Sequence, residues 1–502
     1  MKSQAYDLDE MAIKIDGVSS KDLMWQAGKK IADFIKKKFP NSKTITIVIG
    51  KGNNGGDGLS AAIHLKNYNY NTAVFSLYDK NMLSKDGLHF YNDCAKNSIS
   101  IFHLSMPPSK YDQSGLVLDS ILGIGFRGEL NKNVANWTNW INKFSVVLSC
   151  DIPSGIDSDT GKISIDSVKA DYTIAMGFPK IGCIIEPGKS YSGQINSVDI
   201  GFPNKINQLN GIKWNIITNE YIKNILKPLS RDTHKYMQGK VLILAGSDGM
   251  TGAAYLSTMG ALRSGCGVTK TFAPKSLKTI YERKIIEGIT ISCEDSGLGY
   301  FSHDNFSQIM EHVEWADAIL IGPGLGKNNA TIKLLKKLYK SINKPMVIDA
   351  DGFSPFYDDI ALINKLKNKY VMTPHIGELS NLFDIDNKEL KNDLIGYIEK
   401  IAIPEFSVVV AKGAPSLISD GKYGYINTNG NPGLATAGTG DVLSGVIASF
   451  ISQGYNILES TVISTYIHGY AADKKSQSLS ERGMIASDLL IEIGKKLSDY
   501  EL

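Results

Sequence analysis

Short apolar runs alternate along the whole chain with longer stretches in which apolar and polar positions mix at helical spacing. The runs include TITIVIG (44–50), LVLDSILG (116–123), VVLSCDIPSG (146–155), VLILAG (241–246), AILIGPG (318–324), MVIDADG (346–352), VMTP (371–374) and SVVVAKG (407–413). Strands interleaved with helices predict an α/β architecture built on largely parallel sheets. Most of the runs end in Gly, Pro, Asp or Ser. In open α/β sheets ligands sit beyond the carboxyl ends of the strands, so polar residues just past these runs are the first candidates for a site.

A chain of 502 residues exceeds what one hydrophobic core usually supports, so two or more domains are expected. The stretch between VDIGFPNKINQLNG (198–211) and the fresh strand at Val241 is mixed in charge and weakly periodic, which places a boundary near 215 and predicts domains 1–215 and 216–502. There is no internal repeat and no low-complexity linker. Lys and Arg total 54 against 51 for Asp and Glu, a dispersed net charge of +3 that argues against a nucleic-acid binder. The five cysteines, Cys94, Cys150, Cys183, Cys266 and Cys293, form no CxxC pair and suit reduced thiols. The first residues lack the apolar core of a secretory signal and no run of eighteen apolar residues occurs, so a cytoplasmic protein without a membrane partner is expected.

GNPGLATAGTGDVLSG (430–445) carries the densest chemistry. Gly438 and Gly440 would let backbone amides at a helix start approach an anion beside the carboxylate of Asp441. An Asp in the first turn is equally at home as a helix cap favoured by the dipole, and the stretch alone leaves both readings open.

Five further stretches stand upstream of it: GKVLILAGSDGMTGAAYLSTMGALRSGCGV (239–268), IGPGLG (321–326), VIDADG (347–352), TPHIGE (373–378) and AKGAPSLI (411–418). In this order the set resembles the ADP- or ATP-dependent NAD(P)H-hydrate dehydratases, which are similar to ribokinase-like small-molecule kinases. The resemblance implies a ribokinase-like three-layer α/β domain that phosphorylates the hydroxyl of a hydrated nicotinamide ring and expels phosphate to restore the ring double bond. It implies Asp441 as general base and contacts from Ala253, Gly326 and His375 to the hydrate. It also implies a nucleotide site of Lys412, Gly413, Ala414, Pro415 and Ser416 with Gly438, Thr439 and Gly440, used by ADP or ATP with Mg2+. Taken singly, Lys412 reads as well as a solvated strand-end lysine, and His375 as a packing histidine. TPHIGE carries Ile376 where the family commonly has a second proline, which loosens a backbone restraint on His375.

In the first half, GKGNNGGDG (50–58) places Gly50, Gly52 and Gly55 in G-x-G-x-x-G spacing, with Asp79 beyond the next apolar run. That is a dinucleotide-binding fingerprint and admits an ordinary dehydrogenase. Combined with LDSILGIGFRGE (118–129), SCDIPSGIDSDTG (149–161) and VKADYTIAMGFPKIG (168–182), it resembles the NAD(P)H-hydrate epimerase family, the YjeF N-terminal domain. The resemblance implies a Rossmann-like three-layer fold. It implies a hydrate site lined by Asn53, Asn54, Gly55, Gly56 and Asp57 and by the loop Gly123, Ile124, Gly125, Phe126, Arg127, Gly128 and Glu129. Asp151 would contact the hydrate and act as acid and base, while Asn54, Asp119 and Ser154 would give oxygens to K+. LMWQAG (23–28) departs from the family, with Trp25 and Gln26 in place of its usual polar pair.

Fusion of the two halves resembles the bifunctional NAD(P)H-hydrate repair enzymes. The expected substrates are then the small molecules NADHX and NADPHX, in a homo-oligomer. The competing reading is a ribokinase-like small-molecule kinase fused to a non-catalytic nucleotide-binding module.

Overall fold

The computed structural model describes residues 6–7, 17–42, 44–202, 214–402 and 406–501. The chain forms two compact units that divide between Ile212 and Lys213, against the sequence estimate near 215.

The first unit is built on seven strands: β1 (Thr44–Ile49), β2 (Asn71–Ser76), β3 (Ile101–His103), β4 (Leu116–Ser120), β5 (Val146–Cys150), β6 (Tyr172–Met176) and β7 (Gln194–Val198). All neighbours run parallel in the order β3-β2-β1-β4-β5-β6-β7. β1 reads as an unbroken apolar run because helices cover both faces of a parallel sheet. Ile45, Ile47 and Ile49 enter one core and Val48 the opposite one, which makes three layers. The helix Ser20–Lys38 starts in a capping box between Ser19 and Asp22 and buries Leu23, Met24, Ala27, Ile31 and Ile35 at helical spacing. On it, Trp25 packs its ring 3.9 Å from that of His64 and stacks on Phe90. The departure from the family pattern is therefore a packing residue. Strand order reverses between β1 and β4, and an α/β sheet opens its binding crevice at such a point.

The second unit holds β8 (Trp214–Ile216), β9 (Lys240–Leu244), β10 (Val268–Pro274), β11 (Ile289–Cys293), β12 (Ala318–Ile321), β13 (Met346–Ile348), β14 (Tyr370–Met372), β15 (Ser407–Ala411), β16 (Ser416–Ser419) and β17 (Gly424–Asn427). Their order is β11-β10-β9-β12-β13-β14-β15-β16-β17-β8, parallel except where β16 turns back between β15 and β17. The edge strand β8 is held by Trp214, which fills the space left by Gly424; a Cβ there would lie 2.2 Å from the indole. Val241 and Ile243 face one core and Leu242 and Leu244 the other, again giving three layers. The order reverses between β9 and β12.

Glycines bring two helices into backbone contact above this switch point. A Cβ on Gly445 would sit 2.1 Å from the Ser257 carbonyl, and one on Gly260 would sit 2.6 Å from that of Val442. The helix Thr439–Ser452 thus lies directly on the helix Thr251–Arg263, so its first turn ends over the strand ends. Among the described residues, no helix is long and apolar enough to cross a membrane.

Candidate active sites

In the second unit the chain reaches the site from five strand ends. Past β9, Ser247 Oγ donates to the Gly324 carbonyl at 2.8 Å, joining the segment before Ala253 to the loop after β12. Gly324 has φ +60° and lies so close to Ala253 that a Cβ would come within 2.8 Å of its methyl. In the same loop the Gly326 amide donates to Asp351 Oδ2 at 2.9 Å, tying it to the end of β13. Past β14 and β15, His375 and Lys412 form a parallel bridge, with the Lys412 amide donating to the Pro374 carbonyl at 2.9 Å.

At the centre, Lys412 Nζ donates to Asp349 Oδ1 at 2.7 Å and lies 3.9 Å from Glu378 Oε2. Asp349 is buried, and its Oδ2 has no hydrogen-bond partner. His375 caps the helix Ile376–Phe383: its Nδ1 accepts from the Glu378 amide at 3.2 Å, and its own amide donates to Glu378 Oε2 at 2.8 Å. That reciprocal box fixes His375 where the family's proline is missing.

The helix Thr439–Ser452 closes the site. Its N-cap, Gly438, has φ +94° and no side chain caps the helix. A Cβ on Gly440 would be 3.3 Å from Lys412 Nζ and 3.9 Å from Asp349 Oδ2, so bare backbone meets the ion pair. The Thr439 hydroxyl turns away to the Leu434 and Thr436 carbonyls at 2.8 and 3.0 Å, leaving only its main chain toward the cradle. Beneath it, burial pushes the His468 imidazole down to about 4, so the ring is neutral and its Nε2–H is the atom that meets the Thr439 carbonyl at 2.9 Å. Burial, reinforced by Asp349, pushes Asp441 up to about 7 against the pull of Lys412. Burial likewise pushes Glu378 up to about 7. Burial alone would lower the Lys412 ammonium, but Asp349 and Glu378 outweigh it and hold its pKa above the ordinary value. A half-buried carboxylate titrating near neutrality beside uncapped amides and a lysine can take a proton from a hydroxyl while the amides hold an anion. Gly413, Ala414, Pro415 and Ser416 form the turn from β15 into β16, closed by Ser416 Oγ donating to the Gly413 carbonyl at 3.1 Å.

In the first unit the fingerprint glycines divide by purpose. A Cβ on Gly50 would lie 1.9 Å from the Ile121 carbonyl, and one on Gly55 would lie 2.2 Å from that of Gly50, whereas Gly52 faces open space. Gly56 is filled by Met24, whose sulfur would be 2.4 Å from an added Cβ. Asn53 opens the helix Asn53–Asn67, and Asp57 follows at the start of its second turn. Asp79 is an exposed cap whose Oδ1 accepts from the Asn81 amide at 2.9 Å.

Asn54, Asp119 and Ser154 come together across three strand ends. Asn54 Nδ2 donates to the Leu122 carbonyl at 2.9 Å, while the Leu122 amide donates to Ser154 Oγ at 2.9 Å. Ser154 in turn donates to both carboxylate oxygens of Asp119, from Oγ at 2.6 Å and from its amide at 2.8 Å. Asn54 Oδ1 is buried without a partner. Oxygens alone, one of them orphaned, are the donor set a hard monovalent cation takes, so the residues fit K+. Among the described residues no group of three His, Cys, Asp or Glu is placed to hold a metal ion.

The loop Gly123–Glu129 begins against Asn54, where a Cβ on Gly123 would be 3.3 Å from the Asn54 Cβ. Arg127 is engaged by Asp157 at 3.0 Å and Asp159 at 2.5 Å, and Glu129 accepts from Ser164 at 2.7 Å. These two side chains pin the loop, while Gly125 and Gly128 keep it open. Asp151, just past β5, has φ +65°, a conformation uncommon outside glycine and concentrated at functional sites. Its Oδ1 accepts from the Met176 amide at 3.0 Å and from the buried ammonium of Lys180.

Sequence reading missed Lys180, Asp349, Asp351 and Glu378. Each lies inside a motif it quoted, and the signal available was a charged residue within a few positions of an apolar run's end.

A model described as NAD(P)H-hydrate dehydratase matches residues 241–495, and one described as YjeF-related protein N-terminus matches residues 20–182. A bifunctional NAD(P)H-hydrate repair enzyme Nnr from Moorella thermoacetica is 33% identical over 495 residues, covering 96% of this chain and 93% of that one. The Nnr of Dictyoglomus turgidum is 33% identical over 480 residues, covering 93% and 92%. A crystal structure of a ribokinase-like superfamily protein from Enterococcus faecalis superimposes with a TM-score of 0.50 at 23% identity, covering 58% of this chain and 98% of that one, and shows the fold of the second unit. A third of the residues shared along nearly the full length, with both units matched in order, shows that the chain belongs to the bifunctional NAD(P)H-hydrate repair enzymes.

Proposed function

We propose that this chain repairs hydrated nicotinamide nucleotides: the first unit interconverts the R and S epimers of NADHX and NADPHX, and the second dehydrates the S form with ADP or ATP. The observation that carries the reading is Asp441 held up to about 7 beside the uncapped start of the helix Thr439–Ser452.

In the second unit, Asp441 takes the proton of the substrate hydroxyl as its oxygen attacks the terminal phosphoryl group. The main chain of Gly438, Thr439 and Gly440 stabilises the charge on that group, and Lys412 with the turn Gly413–Ser416 holds the nucleotide. Ala253, Gly326 and His375 hold the hydrate. Mg2+, when bound with the nucleotide phosphates, supplies charge neutralisation. Phosphate then leaves the ring carbon with the C–O electron pair, the adjacent ring carbon gives up a proton, and the electrons of that C–H bond restore the double bond.

In the first unit, Asn53 to Asp57 and the loop Gly123–Glu129 surround the hydrate, with Asn54, Asp119 and Ser154 holding K+. Asp151 serves the movement of water off and back onto the ring. A homo-oligomeric, cytoplasmic enzyme is part of the same reading, and sedimentation tests the first of these.

Product analysis tests the second unit. Inorganic phosphate appearing with reduced nicotinamide supports dehydration; an accumulating phosphoester would make the unit a small-molecule kinase.

A further inference from the structure

Lys180 is an ammonium placed where water is largely excluded. It is nine-tenths buried, caps the short helix Ile181–Ile184, and donates to Asp151 Oδ1 and, at 3.1 Å, to the Met176 carbonyl. Nζ has three protons and the structure shows acceptors for two. Asp151 Oδ1 is filled by Lys180 and the Met176 amide, and no protein donor is seen at Oδ2 among the described residues.

Burying an ammonium needs a compensating charge, and Asp151 supplies it as a carboxylate. A carboxylate paired in this way can accept a proton but has none to give. Epimerisation needs both acts, because a hydroxyl leaves as water only if it gains a proton, and the water that returns must lose one. The thiols of Cys150 and Cys183, which feel Asp151, are raised by burial, Cys183 to about 12, and are poor donors near neutrality. Asp57 and Asp119 are the other charged groups in the field of Cys150, and both oxygens of Asp119 are taken by Ser149, Ser154 and the Ile121 amide.

We propose that Lys180 is the proton donor of the epimerase and that Asp151 works as its base. This rests on the epimerase reading of the first unit. The C–O bond of the hydrate breaks with its electron pair on oxygen, and that oxygen takes a proton from Lys180 Nζ and leaves as water. The ring nitrogen's lone pair closes a C=N iminium. Water adds to the opposite face, forming the new C–O bond, and gives its extra proton to Asp151. That proton passes back to the neutral amine, so the pair ends as it began and no oxidant or reductant is consumed.

The test uses the full chain with K+ and no nucleotide, so that only interconversion of pure R-NADHX is followed, by chromatographic separation of the epimers above the uncatalysed rate. Lys180→Met should lower kcat at least ~100-fold with KM within about threefold, the scale of losing a general acid. Lys180→Arg keeps the charge but holds its proton, since guanidinium does not titrate in proteins, and should stay as slow. Added ethylammonium should restore part of the rate to Lys180→Ala, a recovery that a purely structural role would not give. Dehydration of S-NADHX by the same variants should be unchanged. Near-wild-type interconversion by Lys180→Met or Lys180→Arg would overturn the assignment. No interconversion by the wild-type chain would instead overturn the epimerase reading, and the assignment with it.

Discussion

Lys412 Nζ donates to Oδ1 of Asp349 at 2.7 Å, while Oδ2 of the same buried carboxylate is left without a partner. Gly440 brings main chain to this pair: a Cβ added there would lie 3.3 Å from the ammonium and 3.9 Å from that free oxygen. The ammonium therefore answers Asp349 before it answers Asp441. Burial first, and then the charge of Asp349, raise Asp441 to about 7, and Lys412, already paired with Asp349, offsets them only in part.

Asp441→Asn should lower S-NADHX dehydration at least ~100-fold while nucleotide affinity stays within about threefold, because only the proton acceptor is lost. Single-turnover kinetics and nucleotide titration check the two halves of that statement.

A base must be unprotonated to work, so the dehydration rate should rise with pH through about 7, the value to which burial and Asp349 push Asp441. Asp349→Asn removes a neighbouring negative charge and should move this acidic limb down by roughly one pH unit. The same shift has a stability sign. Between the ordinary 3.8 and about 7 the folded chain keeps a proton that the unfolded chain has lost, so stability falls as pH rises across that window. The Tm of Asp441→Asn should accordingly gain on wild type between pH 5 and pH 8; an unchanged difference would contradict the burial argument.

Gly440→Ala should weaken nucleotide binding, because its Cβ would stand 3.3 Å from Lys412 Nζ, where the anion must approach. Gly438→Ala meets a different obstacle, a φ of +94° and a Leu256 carbon 2.4 Å from the new Cβ, and should cost on the order of 2 kcal/mol of stability. Nucleotide titration and thermal unfolding separate the two.

Asn54→Ala removes the orphaned Oδ1, and the K+ concentration giving half-maximal epimerisation should rise at least tenfold, on the order of one lost ligand contact. Dehydration of S-NADHX serves as the control and should not respond. Indifference of epimerisation to K+ in the wild type would contradict the cation site.

Most of the fold and part of the sites were legible in the sequence. Apolar runs marked strands because parallel strands buried on both faces need them, as at Ile45–Ile49. The edge strand Trp214–Ile216 carries only three residues and declares itself only through Trp214 against Gly424. Asp441 was readable because glycines and a carboxylate share one short stretch. Lys180 and Asp349 were not, since each acquires meaning from a partner 29 or 63 positions away that only the sheet brings near. Side-chain direction was equally hidden: Arg127 turns to Asp157 and Asp159, and the Thr439 hydroxyl to Leu434.

The central claim, two repair steps on one chain, is tested most directly by recovery of reduced-nicotinamide absorbance from separately purified R- and S-NADHX with Mg2+, K+ and either ADP or ATP. Recovery from both epimers is expected, and the donor that supports it names the phosphoryl source. Recovery from S alone would contradict the epimerase half, and recovery from neither would contradict the account as a whole.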